Sequence, residues 1–202
     1  MGTFCVMRRT AEEAAATRRD LLVAALAEFA ELGYSAATLA GIAARAGVTR
    51  GALYHHFSDK GTLFLSVLGE LWAEAATPVW GALDGPGPPL RRVSSFLVAF
   101  FTALERDATF REIFALSMRP VDGAPELAGG MEGKRAVMEG WRRQLTALLA
   151  DAPLRVPAEV AALAIISAAN GAAATWLACP ELFSPAREAQ ALAEAIVHGL
   201  AV

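Results

Sequence analysis

Residues 47–60 read GVTRGALYHHFSDK. Within one short run this stretch collects Thr49, Arg50, Gly51, Tyr54, His55 and His56, in a chain that is 55% apolar with a formal net charge of −3. Metal ligation, general-base catalysis and contact with a phosphate backbone all use such residues. The neighbours separate them. Leu53 and Phe57 are four apart and share a helix face with Val48, so that face belongs to a core. The opposite side presents Arg50, Gly51 and Tyr54, with His55 and His56 on one flank. Adjacent histidines on a helix point about 100° apart, and a metal needs a third ligand that is not in view. General-base catalysis needs a nucleophile and an orienting carboxylate. Only Asp59 is close, and it reads better as a helix cap. For either histidine taken singly, a solvated face is the plain alternative.

Working outward, Thr38 can cap LAGIAARA, Gly47 ends that helix, and Thr49 can cap RGALYHHF. Two short helices around a glycine-centred turn form a helix-turn-helix. Leu39, Ile42, Ala43, Val48, Leu53 and Phe57 are expected to hold it against a first helix over about 11–32. That helix carries Leu22, Ala25, Leu26 and Phe29 on one face and stops at Gly33. Asp59 opens a fourth helix that should end or kink near Pro78. Further helices are expected over about 90–106, 108–117, 130–150, 158–178 and 185–200, with loops at 85–89, 120–130 and 153–157 where Pro and Gly cluster. No run alternates Val, Ile and Thr. The fold class is therefore all-α, with a three-helix helix-turn-helix domain over 1–62 and a second helical domain over 63–202.

Such a surface suits double-stranded DNA. A recognition helix lies in the major groove with its first residues nearest the bases. Arg50 can pair with guanine, Gly51 allows close backbone approach, and Ala52 can touch a thymine methyl. Thr38, Thr49, Tyr54, His55, His56 and Lys60 are placed to reach flanking phosphates. Arg45, Arg50 and Lys60 face only Asp59 between 38 and 60, whereas the net acidic whole argues against indiscriminate coating of nucleic acid or anionic lipid.

Cys5 and Cys179 are far apart, and MGTFCVMRR has no apolar signal core, so a reducing cytoplasm is the expected compartment. Met7 is an alternative start, with residues 1–6 carrying no structure. From Val160 to Pro180 no residue is charged, a length that reaches across a bilayer. Its alanine-rich composition and the flanking Glu159 and Glu181 make transfer into lipid poor. It is read as a helix buried in protein on nearly every side, with no membrane partner.

The run TRRDLLVAALAEFAELGYSAATLAGIAARAGVTRGALYHHFSDKGTLF, residues 17–64, resembles the DNA-binding domain of the TetR family of bacterial transcription regulators. Gly33, Tyr34, Thr38, Ile42, Ala43, Ala46, Gly47, Val48, Tyr54, His56, Phe57 and Lys60 carry the likeness. MRRTAEEAAATR and AANGAAATWLACPELFSP resemble its AcrR-like branch, whose members often repress multidrug efflux genes. The resemblance implies a dimeric repressor released by a ligand, with an all-helical second domain and no enzymatic activity. It places Thr38, Thr49, Tyr54, His55, His56 and Lys60 at phosphate or groove positions, and Arg50, Gly51 and Ala52 at base-reading positions. No cofactor and no metal are expected.

Given that likeness, the uncharged helix and its successor are expected to form a four-helix bundle with a second copy. Ala168, Ala169, Gly171, Ala172 and Ala173 permit close backbone approach there, Thr175 lies in the same interface, and Trp176, Leu177, Leu192, Ile196 and Leu200 fill the seam. Two recognition helices related by a two-fold axis then read a palindrome. Trp72, Phe96, Phe100, Phe110, Phe114, Met118 and Trp141, with Asn170 as a polar anchor, are candidates for an apolar effector cavity. A packed core accounts for any one of them alone. An effector that reverses occupancy must prefer the released state by roughly 10⁴-fold, about 5.5 kcal/mol. The competing readings are a regulator with no small-molecule effector and a helical lipid-binding protein.

Overall fold

Helix α1 (Gly2–Ala36) leaves helical geometry at Gly33, where φ is +76°, a value that glycine adopts without strain. The glycine is thus a break, as expected, but a last short turn follows it. At the other end the helical backbone begins at Gly2 and takes in residues expected to carry no structure. The computed structural model describes residues 2–119 and 127–202. Among them the chain is helical almost throughout, and its one β-type contact is an isolated bridge between Leu154 and Ala201. The all-α class therefore holds. Most of the loop expected over 120–130 lies outside the described residues.

After α1 come α2 (Leu39–Arg45), α3 (Arg50–His56) and α4 (Lys60–Ser66). The three expected caps are all made: Thr38 Oγ1 accepts from Gly41 N (3.0 Å), Thr49 Oγ1 from Ala52 N (3.2 Å), and Asp59 Oδ1 from Thr62 N (2.7 Å). Gly47, at φ +69°, turns the chain between α2 and α3. The fourth helix departs from expectation. It runs past Pro78, and its irregularity comes earlier, as a π-helical turn over Val67–Leu71, before α5 (Trp72–Gly81) resumes. Gly69, a poor helix former, sits inside that turn. Next to Pro78, Thr77 Oγ1 donates to the Ala73 carbonyl at 2.6 Å.

The rest of the chain forms α6 (Pro89–Arg106), α7 (Ala108–Met118), α8 (Ala128–Leu149), α9 (Ala158–Ala178) and α10 (Pro185–Leu200). Two compact units divide it: residues 1–72 with 112–127, and residues 73–111 with 128–202.

In the first unit Leu21, Leu22, Ala25, Leu26 and Phe29 of α1 meet Ile42, Ala43, Leu53, Phe57, Leu63 and Phe64, all buried. Leu39 and Val48, also expected in this core, are half-buried. Phe29, Tyr34 and Phe64 form a ring cluster, Phe64 meeting the other two edge-on at 5.0 Å. In the second unit α6 packs against α10, and α8 against α9.

Glu105 of α6 caps the start of α10. Its Oε2 accepts from Ala186 N and Ser184 Oγ, both at 2.8 Å, and the Ala186 amide foremost holds its carboxyl below the usual range. A depressed carboxylate adds stability above its unfolded value, about 4.3, and that addition is lost as pH falls through the folded value. Glu105→Gln is therefore expected to be less stable than wild type by about 0.5–1 kcal/mol at neutral pH, small because the group is largely solvated. The difference should close in thermal melts as pH falls through and below the ordinary carboxylate range. A gap that stays constant with pH counts against the cap.

Helix α9 is only partly covered by its own chain. In the single chain the helix is buried on one face only, through Ala161, Ala162, Ile165, Ile166, Ala169 and Ala173. Val160 is 49% and Leu163 56% exposed, and Ser167, Gly171, Ala174 and Ala178 continue the same three-and-four spacing in the open. Its absence of charge is thus not explained by the chain's own core. By length and composition alone, this helix could cross a membrane.

Candidate nucleic-acid interface

The two sides of α3 differ as its periodicity requires. Leu53 is fully buried and Phe57 is 1% exposed, whereas Tyr54 is 50% exposed and Arg50, Gly51 and His55 are also on the outside. Ala52 and His56 are half-buried. No carboxylate pairs with Arg50 among the described residues, so its guanidinium is available for bidentate recognition. Thr38 and Thr49 are exposed. Their oxygens accept the capping bonds, which leaves each hydroxyl proton free to donate outward.

The other cations are engaged within the chain. Arg45 forks onto Glu31 of α1, Nη1 to Oε1 at 2.8 Å and Nη2 to Oε2 at 2.6 Å, and its Nε lies 3.3 Å from Glu28 Oε2. The Arg45 bond holds the Glu31 carboxyl below its ordinary range. Arg18 pairs with Glu70, with Nη2 to Oε1 at 2.7 Å, and stands 4.9 Å over the Phe57 ring. Lys60 Nζ donates to the carbonyls of Tyr34 (2.8 Å), Ala37 (3.2 Å) and Ser35 (3.3 Å). The basic window in the sequence is thus much less cationic as a surface, with Arg50 its one Lys or Arg without an intramolecular partner among the described residues.

His55 and His56 stack edge-to-face at 5.5 Å. Burial first, then His55 and Arg18, lowers the pKa of His56, which favours a neutral ring at pH 7. Among the described residues no three His, Cys, Asp or Glu side chains converge as metal ligands would. Sequence reasoning missed Arg18, Glu28, Glu31 and Glu70, because ion pairs across helices leave no local spacing to detect. Gly41 did carry a signal, as the single glycine of α2. A Cβ there would collide with Glu28 Oε1 and stand 3.2 Å from Thr38 Oγ1.

The profile of bacterial regulatory proteins of the tetR family matches residues 21–67. TtgR, a helix-turn-helix transcriptional regulator of Pseudomonas putida, is 30% identical over 184 residues, covering 87% of each chain. The chain belongs to the TetR family. It is a helix-turn-helix, DNA-binding transcriptional repressor of the AcrR type. Solved structures agree over nearly the whole length. NalD of Pseudomonas aeruginosa, described as the secondary repressor of the MexAB-OprM multidrug efflux pump, superposes with a TM-score of 0.78 at 29% identity, covering 93% of this chain and 98% of its own. A SmeT–triclosan complex gives 0.77 at 26%, covering 93% and 92%.

The aromatic residues of this TetR-family chain are divided between its units. In the first, Trp72 lies 6.2 Å from Phe114, and Met118 is 43% exposed. In the second, Phe96, Phe100 and Phe110 are buried, Phe100 meets Phe110 edge-on at 5.6 Å, and Trp80 contacts Phe96 (4.7 Å) and Trp141 (5.1 Å). Asn170 is half-buried on α9. A cleft of about 630 Å³ in the second unit is bordered by other residues, among them Pro78, Val79, Ser94, Val98, Thr102 and Gln190. Of the pairing candidates, Gly171 and Thr175 are exposed and Trp176, Leu192, Ile196 and Leu200 half-buried. No atom outside its own helix lies within 4 Å of a Cβ built on Gly171.

Proposed function

We propose that this protein is a cytoplasmic, ligand-responsive repressor that binds a palindromic operator as a homodimer and lets go when a small apolar effector binds. The observation that carries it is the division of α3, with Leu53 and Phe57 sealed inside while Arg50 and Tyr54 stand open to solvent. Arg50, Gly51 and Ala52 read base edges; Thr38, Thr49, Tyr54 and His55 position the duplex through its backbone. Pairing through α9 and α10 is supported by the uncharged, exposed stripe on α9.

An apolar effector is supported by SmeT, a relative solved with triclosan, and control of an efflux gene by NalD. In the second unit such a molecule would part Phe96, Phe100, Phe110 and Trp141, and only its preference for the released state drives dissociation. The tight packing of those rings favours a second reading, a regulator with no small-molecule effector.

Mobility shift on DNA from upstream of the chain's own gene, with and without triclosan as a first probe, separates the two. Retention of the complex at all concentrations of a panel of apolar compounds would support the second. Arg50→Ala is expected to relax preference at one base position, by roughly 1–3 kcal/mol, while Tyr54→Ala weakens binding to every sequence alike. A uniform loss with Arg50→Ala, read from binding to single-base variants of the site, would remove Arg50 from base reading.

A further inference from the structure

We propose that Lys60 is a positioning residue, an ammonium clip that ties the start of α4 to the turn between α1 and α2, and not a ligand of operator phosphate. Its bearing on operator binding rests on the regulator reading above.

A lysine ammonium has three protons and accepts nothing. Here three carbonyls, those of Tyr34, Ser35 and Ala37, take them at 2.8–3.3 Å. The same Nζ sits 4.5 Å over the Tyr34 ring, whose electron-rich face attracts a cation. The acceptors converge because the chain breaks at Gly33 and must restart at Leu39, so the carbonyls between lose the amides a continuous helix supplies. The Gly41 N–H, which would reach the Ala37 carbonyl in an unbroken helix, goes to Thr38 Oγ1 instead. A cation at a carboxyl-terminal turn is favoured by both hydrogen bonding and the helix dipole.

The clip has two jaws. Phe64, four residues on and so one turn along the same face of α4, meets the Tyr34 ring edge-on while Lys60 sits above it. Tyr34 itself is 8% exposed and stacks on Phe29 at 5.9 Å. The junction that launches α2 is thereby held to α4, and the placement of α3 behind it follows. Were Lys60 to swing out to a phosphate, it would abandon all three carbonyls.

The test uses the full chain and a duplex that the wild type enriches from a randomised pool, with Lys60→Met and Lys60→Arg. Affinity is measured from about 50 to 200 mM salt, the range over which a phosphate contact shows itself, and thermal midpoints are taken without DNA. Both variants should melt below wild type, because neither a thioether nor a planar guanidinium can serve three converging carbonyls. Lys60→Met should bind roughly tenfold more weakly at every salt concentration, with an unchanged slope of log affinity against log salt. A slope shallower by about 0.9 per subunit overturns the proposal, as does Lys60→Arg binding and melting like wild type. If Lys60→Met does not fold, the melt and slope of Lys60→Arg decide. Should the wild type enrich no duplex, the regulator reading fails, while the melting midpoints still support the clip if lowered and refute it if unchanged.

Discussion

Leu163→Glu should yield a folded single subunit that no longer holds its operator. Leu163 is 56% exposed, so the change touches little within the chain, and surface substitutions of that kind usually shift stability by no more than about 0.5 kcal/mol. Against a second copy the outcome differs. From Val160 to Pro180 there is no charge to pair with an added carboxylate. A two-fold seam would bury it twice, at several kcal/mol per ion. Without pairing, each helix-turn-helix binds alone and the second contact is no longer intramolecular, which weakens operator binding by roughly 10²- to 10⁴-fold. Sedimentation and mobility shift on the same preparation check both halves. A variant that sediments as a dimer would remove α9 from the pairing surface.

The other large effect belongs to Phe64→Ala. Phe64 is 2% exposed and bridges α4 to Phe29 and Tyr34 of α1. Truncating such a ring costs roughly 3–5 kcal/mol, from lost burial and the cavity left behind. That is a large share of the 5–15 kcal/mol typical of whole domains. The melting midpoint should fall by roughly 10 °C or more, and DNA binding should be lost with the fold of the reading unit. A shift of a degree or two, read by circular dichroism, would show that the cluster closes over the gap and is not the keystone of α1 and α4.

Some predictions made from residues alone rest on periodicities the chain cannot evade. Leu53 and Phe57 must share a face, Thr38, Thr49 and Asp59 stand where free amides need acceptors, and Gly33 and Gly47 sit where φ turns positive. These are local facts, set by 3.6 residues per turn and by the missing Cβ of glycine. They delivered the helical class, the helix-turn-helix and the outward face of α3.

Side-chain destinations were another matter. A cation's partner depends on which helices lie side by side, and that is not written within a few residues of it. Arg45 reads as part of a basic window until α1 brings Glu28 and Glu31 against it, and Lys60 reads as a phosphate ligand until the turn after Gly33 offers it three carbonyls. Thus the sequence by itself determined the elements, their caps and the polarity of the recognition helix, because these depend on near neighbours. Only the tertiary structure decided which charges remain for DNA and which face of α9 is left uncovered, because both depend on contacts between residues distant along the chain.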